Sequence, residues 1–381
     1  MTDLPPVGRR VVATAPVRVA DVGGWTDTWF AERGAVCSVA VGPGARVEAR
    51  LVERTNRGPT VRMAAPDLDA SWTLDLGAGR TTTNARAISR PLSARATIDP
   101  ARGAVPHRIL DRAVLSWAAS LPEEALGPQS TAVLEVAVTA GVPPGSSVGT
   151  SASVLVALVA ALEALAGRPV EPDAAARAAH GIETQGAGRE SGVQDHVAAA
   201  HGGISWVEID PYPTWRRTEV DVPPPAIAAL GRRLLTVHLG GGHDSSELHR
   251  AVIARAEAGD AVVRSVLTEL RTLAAEAGDC LVEGDLAGWG VVLTAATEAQ
   301  ARLHPALVSD DARAVARIGA TNGTEGWKVN GAGGAGGTVT LLGPDDPEAA
   351  ARLRRALAEA DPRWRVLDLT PAPGLRVRVA G

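Results

Sequence analysis

The sequence predicts an α+β protein of two domains, and three observations carry that prediction. Segments alternating apolar and polar residues cluster near the N-terminus, at Val11 to Ala20, Val36 to Val41, Arg46 to Val52 and Trp72 to Leu76, as the strands of an antiparallel sheet do. Apolar residues recur at helical spacing after Pro106, after Ser151 and after Pro172, and again in four stretches between 245 and 320. Between these halves, Asp210 to Pro225 (DPYPTWRRTEVDVPPP) collects prolines that continue neither a helix nor a central strand. A boundary is placed there, with one domain over 1–210 and a second over 211–381.

Taken in order, the first strands enclose a loop, Asp21 to Phe30, where Gly23 and Gly24 precede Trp25, Thr26 and Asp27 and could carry polar groups to a ligand. Gly77 to Gly103 has no strong period and reads as a long surface segment. Pro106 suits the first turn of a helix through Ile109, Leu110, Ala113, Val114 and Trp117. A strand at Thr131 to Ala140 follows, then a helix from Ser151 to Ala166 that is apolar almost all round and is therefore expected to be buried. A helix from about 172 to 186, a turn with a short helix, and a strand from Gly202 to Ile209 complete the first half. The second half offers a strand at Leu234 to Leu239, helices at 245–258, 260–283, 285–300 and 310–320, strands at Val339 to Leu342 and Val366 to Leu369, and a helix from Pro347 to Ala360.

With 381 residues, 45% of them hydrophobic, the chain can bury a sizeable core. Its net charge is −5 and its basic residues are scattered among acidic ones, so no nucleic-acid partner is expected. Cys37 and Cys280 sit in apolar surroundings without metal-site or disulfide spacing, and both are expected to be buried and reduced. The N-terminus has no apolar signal core, and the longest apolar run, Val154 to Leu162, is too short for a bilayer. A cytoplasmic protein without a membrane partner is the expectation. Aromatic residues make up 3% of the chain, too few for a base-stacking platform, and His243, His249 and His304 lack metal-ligand spacing.

The most informative stretch is Pro143 to Ser153, PPGSSVGTSAS, between a strand and a helix. Glycines at 145 and 149 and the small hydroxyl residues around them would leave backbone N–H groups free at a helix mouth. Read alone, the segment is either a plain connecting loop or a cradle for phosphate. It is not a P-loop, because no Gly-Lys-Ser/Thr follows.

This stretch resembles the second motif of the GHMP kinases, P-x-x-x-G-L-G-S-S-A-A. Pro16 to Asp27 (PVRVADVGGWTD) is similar to that family's first motif, and Lys328 to Gly337 (KVNGAGGAGG) to its third. Ser147 replaces a glycine, Thr150 replaces a serine, and the third motif is one residue longer than usual. The resemblance implies an N-terminal domain like a ribosomal-protein fold, a ferredoxin-like C-terminal domain, and an active site in the cleft between them. It implies ATP as co-substrate, with Mg²⁺, and a monomer or homodimer.

Carried over residue by residue, the resemblance implies an ATP cradle of Pro144, Gly145, Ser146, Ser147, Gly149, Thr150 and Ser151. It makes Ser151 and Glu183 metal ligands and Asp195 the catalytic aspartate, with His196 standing where sugar kinases often have glutamine. Arg18 would keep Asp195 charged. Without the family, Glu183 reads as a solvated helix glutamate and Asp195 as a helix cap. The acceptor would meet Arg18, Gly24, Trp25, Thr26, Asp27, Asp195, Gly331, Gly333 and Gly334, and His243 and Asp244 could reach it from the end of a strand.

Galactokinases carry Gly-Glu-His-Thr-Asp in the first motif, where this chain has Gly23-Gly24-Trp25-Thr26-Asp27. With GVQDHVAAAHGG (192–203), that form is similar to the branch containing L-fucokinase and D-glycero-D-manno-heptose 7-phosphate kinase, which phosphorylate an anomeric hydroxyl. The implied activity is a sugar kinase making a sugar 1-phosphate for nucleotide-sugar synthesis. A non-catalytic sensor of sugar and nucleotide, or a kinase of a non-sugar alcohol, are the alternatives. Retention of Arg18, Ser151, Glu183 and Asp195 weighs against the sensor, and Thr26-Asp27 against the non-sugar alcohol.

Overall fold

The computed structural model describes residues 7–55, 60–74, 76, 97–98, 108–126, 130–240 and 246–380. Pro106, His243, Asp244 and all of Gly77 to Gly103 except 97–98 lie outside the described residues. Strands β1 (Arg10–Val22), β2 (Gly34–Glu53), β3 (Val61–Ala65), β4 (Ala70–Leu74) and β5 (Thr97–Ile98) come first. Helices α1 (Arg108–Ala118) and α2 (Glu123–Leu126), strand β6 (Ala132–Ala140), and helices α3 (Thr150–Leu165), α4 (Pro172–Gly181) and α5 (Gln194–His201) follow. Then come β7 (Ile204–Ile209), β8 (Trp215–Glu219), α6 (Pro224–Arg233), β9 (Leu234–His238), α7 (Ser246–Glu257), α8 (Ala261–Glu283) and α9 (Leu286–Leu303). The chain ends with α10 (Asp310–Thr321), β10 (Gly326–Val329), β11 (Thr338–Leu342), α11 (Pro347–Ala360), β12 (Arg365–Leu367), β13 (Thr370–Pro371) and β14 (Arg376–Ala380).

β1 and β2 hold the molecule together because each runs through two hydrophobic cores. Val11, Ala13 and Ala15 of β1 and Ala45, Val47 and Ala49 of β2 pack against α1, α3 and α4. Farther along, Val17 and Val19 of β1 and Cys37 and Val39 of β2 pack instead against α8 and α9. The burial of β1 follows from this. It alternates at first, with one face in solvent, and becomes continuous from Ala15 to Val22, where both faces are covered. Helix α3 is buried on most sides, as its apolar sequence requires.

The first sheet has the strand order β14-β1-β2-β6-β3-β4-β5, with β7 and β13 also on β2, and β8 on β7. The second sheet, β10-β11-β9-β12, is antiparallel throughout and packs its core residues Leu235, Val237, Val339 and Leu341 against Val315 of α10 and Leu353 and Leu357 of α11. The prolines that suggested a division at Asp210 lie partly in the turn of the β7–β8 hairpin, and β13 and β14 return to β2 and β1. Proline serves tight turns as readily as linkers, so the sequence alone did not distinguish the two. Cys37 is buried, which pushes its thiol up to about 12, whereas Cys280 is only partly buried on α8, because it lies on that helix's flank.

Candidate active site

β6 leads into a loop that turns back sharply at Gly145 (φ 75°), Ser147 (φ 57°) and Gly149 (φ 76°) before α3 begins. A serine in the left-handed region costs about 1 kcal/mol, which the glycine of the motif that this loop resembles would not. The surroundings hold it there: Arg18 N–H donates to the Val148 carbonyl at 3.0 Å, Thr338 Oγ1 to the Ser146 carbonyl at 2.8 Å, and Ser146 Oγ to the Pro143 carbonyl at 2.6 Å. The first turn of α3 then presents N–H groups without intrahelical partners, a ready anion site. Gly149 has a second reason to be glycine, since a Cβ there would lie 3.0 Å from Asp195 Cγ. Its absence lets the Asp195 carboxylate rest against the start of the helix.

Asp195 is the second residue of α5 and does not cap it. Its Oδ1 accepts from Arg18 Nε at 2.8 Å, and Arg18 Nη1 donates to the Ser147 carbonyl at 2.7 Å. Arg18, 4% exposed, thus joins the aspartate to the glycine loop. Burial works against its charge, but Asp195 and Asp21 outweigh this and raise its pKa. Asp27, also buried, accepts from Gln194 N–H at 3.0 Å, and a Cβ on Gly192 would stand only 2.0 Å from its Oδ2. Burial pushes Asp27 up to about 6, the Asp195 charge adds to this, and the Gln194 hydrogen bond and Arg18 oppose it.

Glu183 sits on a single π-helical turn, Ile182–Gly186, that continues α4. Far from being a solvated helix residue, it is buried. Its Oε1 accepts from Ser151 Oγ at 2.9 Å and its Oε2 from Ser191 Oγ at 3.1 Å, with His196 Nε2 3.0 Å from Oε2. Burial alone would raise this carboxyl, but the histidine and the two serines outweigh it and hold it at about 2. Behind His196, edge-on at 5.2 Å, His180 is pushed down to about 4 by burial, with His196 adding to the shift, and its Nε2 meets Tyr212 Oη at 3.0 Å.

Ser151 Oγ and Glu183 Oε1 fit Mg²⁺. They are hard oxygens 2.9 Å apart, close to the edge of an octahedron with metal bonds of about 2.0–2.1 Å. Among the described residues no group of three or more His, Cys, Asp or Glu side chains could hold a metal by itself. Mg²⁺ takes few protein ligands and completes its shell with water and substrate phosphates.

Asp195, Asp27, Glu183 and Arg18 line one cleft of about 800 Å³, with Trp25 and His249 also on its wall. Trp25, itself left-handed at φ 79°, packs its ring 4.8 Å from that of His249 on α7. Gly331 lines the cleft, whereas a Cβ on Gly333 would lie 2.2 Å from the Leu307 carbonyl, and Gly334 N–H donates to that carbonyl at 2.9 Å. Thr26 spends its hydroxyl on the Gly23 and Ala35 carbonyls, at 2.7 and 3.0 Å, and so braces the loop from inside. Sequence reasoning missed Asp21, Ser191 and Gln194, and took His196 only as a departure from the motif. The one visible signal for Asp21 was a second charge, after Arg18, in the strand-like segment Val17 to Val22.

Residues 113–203 match the family profile described as GHMP kinases N terminal domain. The chain is 27% identical over 357 residues to the bifunctional fucokinase/GDP-fucose pyrophosphorylase of Arabidopsis thaliana, covering 92% of this chain and 31% of that protein. The chain therefore spans under a third of the length of that curated relative. Solved structures share its fold, two kinases among them. Lactococcus lactis galactokinase complexed with galactose matches at TM-score 0.66 and 15% identity, over 96% of this chain and 95% of that one. A D-glycero-D-manno-heptose 1-phosphate kinase from Bacteriodes thetaiotaomicron matches at TM-score 0.65 and 14% identity, over 97% and 98%. Among the described residues no helix is long and apolar enough to cross a membrane. The profile match over residues 113–203 and the shared fold agree with the likeness of the three motifs to the GHMP kinases.

Proposed function

We propose that this chain is an ATP-dependent kinase of a sugar hydroxyl. The acceptor we favour is the anomeric hydroxyl of fucose, a heptose 7-phosphate or a related sugar, which would give a sugar 1-phosphate for nucleotide-sugar synthesis. The observation that carries this reading is the place of Asp195, against the N-terminus of α3 at Gly149 and hydrogen-bonded to Arg18. A phosphate held by the free N–H groups of α3 would then lie beside a carboxylate positioned to orient or deprotonate a hydroxyl.

In the reaction the acceptor O–H gives its proton to Asp195 and its oxygen attacks the γ-phosphorus of ATP. The bond to the β,γ-bridging oxygen breaks, and ADP leaves. Ser151 and Glu183 would hold Mg²⁺, whose charge balances that of the phosphates. The name of the curated relative and the Gly-Gly-Trp-Thr-Asp loop support a sugar as acceptor, with Asp27 on the cleft wall to meet its hydroxyls. The test is ATP consumption with hexoses and heptoses, unphosphorylated and phosphorylated. Consumption that depends on one of these sugars supports the reading, and none above background with any of them contradicts it.

A further inference from the structure

Asp21 belongs to none of the positions that the motifs single out, yet it sits where all three motifs meet. The pairing of β1 with β2 breaks between Val19 and Val22, and within this bulge Ala20 has φ 54°. An alanine in the left-handed region costs about 1 kcal/mol, and the usual effect of such a bulge is to re-aim a side chain. Here it brings the fully buried Asp21 carboxylate to the glycine-rich turn. Both of its oxygens accept from Gly331 N–H, at 3.2 and 3.1 Å. Ala20 N–H donates to Asn330 Oδ1 at 2.9 Å, so the bulge grips the turn twice.

The Asp21 carboxylate also stands 3.9 Å from Arg18 Nη1, and Arg18 holds Asp195. Gly24 leaves room for this arrangement, since a Cβ there would lie 2.9 Å from Asp21 Oδ2. The Gly331 turn in its turn touches the phosphate loop and the arginine. A Cβ on Gly331 would be 2.7 Å from the Ser147 carbonyl oxygen and 3.2 Å from Arg18 Nη2. Lys328, buried just before the turn, donates to Gln300 Oε1 at 2.8 Å and to the Val329 carbonyl, and among the described residues no carboxylate reaches it as an ion pair. Asp21 is the acid whose charge opposes the effect of burial on that amine.

We propose that Asp21 is a positioning residue for phosphoryl transfer, whose buried carboxylate locks the Gly331 turn onto Arg18 and thereby sets where Arg18 holds Asp195. Asp21 borders the cleft but is almost wholly buried, with its carboxylate turned to Gly331 and Arg18, and its effect passes through these two. The proposal rests on the kinase reading, and its test keeps the two apart. Asp21→Asn preserves size and one acceptor for Gly331 N–H but removes the charge that faces Arg18 and Lys328; Asp21→Ala removes both.

Both variants should lose about a hundredfold in kcat, the scale of a small misplacement, with KM for ATP and sugar little changed. Amide exchange over 329–337 should accelerate in Asp21→Ala, while exchange in α3 and the centre of β2 holds. A kcat within about twofold of wild type in both variants overturns the proposal. So does a loss of kcat with exchange over 329–337 unaltered, or with exchange accelerated throughout the chain. A wild-type chain that phosphorylates no sugar contradicts the kinase reading, and the exchange measurement, which needs no substrate, then decides the lock alone.

Discussion

Glu183 and Asp27 are both buried carboxylates lining one cleft, yet their surroundings drive their proton affinities apart. Around Glu183, Ser151, Ser191 and His196 converge on the two oxygens and hold the group at about 2. Around Asp27, two backbone N–H groups, of Gln194 and of Asp27 itself, and the charge of Arg18 face burial and the charge of Asp195, and the group rises to about 6. Burial is nearly equal at the two sites, so the number of donors and the sign of the neighbours decide the outcome. On the proposed phosphate side of the cleft a negative charge thus remains available to a cation. The acceptor side keeps a carboxyl that changes charge near neutrality, next to the Asp195 that takes the substrate's proton in our scheme.

The sharpest way to break this comparison is at Asp195, which touches both halves. Asp195→Asn should lower kcat by about 10²–10⁴ while ATP affinity and melting temperature hold, and a fall of less than about tenfold would remove it from the chemistry. On the phosphate side the expected changes fall on the Mg²⁺ dependence. His196→Ala, which leaves Glu183 without its ring partner, should raise the Mg²⁺ concentration for half-maximal rate by about tenfold. Glu183→Gln and Ser151→Ala should raise it as well, with Glu183→Gln exceeding His196→Ala. An unchanged Mg²⁺ dependence in all three counts against a metal there.

On the acceptor side, Asp27→Ala should raise the sugar KM by about ten- to a hundredfold, the worth of one or two hydrogen bonds to a buried carboxylate, and leave the ATP KM in place. A lower melting temperature with an unaltered sugar KM would instead make Asp27 a brace of the loop. The smallest expected effect is on stability. A carboxyl near 3.8 in the unfolded chain and about 6 in the folded one binds its proton more tightly when folded. Its contribution is therefore present in full below about 3.8 and is lost as pH rises through about 6, for at most about 3 kcal/mol. Asp27→Asn should flatten the dependence of melting temperature on pH between those values. A variant whose profile parallels the wild type would show that Asp27 does not titrate there.

Much of the phosphate side was legible in the sequence because it is made of backbone. Small residues between a strand and an apolar helix require a tight turn and an open helix mouth, and Gly145 to Ser151 takes that form. The second sheet and its helices followed from ordinary periodicity. The side chains that complete the cleft were less legible because they lie far apart in sequence. Asp21 reaches the Gly331 turn through a bulge that alternation cannot signal. Glu183 was found by family likeness alone, since the π-helical turn that carries it inward leaves no periodic trace. The return of β13 and β14 to the first sheet was invisible for a similar reason, because a short strand does not name its partner.

The most direct test of the central claim is the phosphorus spectrum of the product made from ATP and the sugar that supports turnover. The account predicts a new phosphate ester coupled to the anomeric proton, formed in equal amount with ADP. A phosphate on another hydroxyl would contradict the anomeric assignment, and ADP accompanied only by inorganic phosphate would contradict transfer to a sugar altogether.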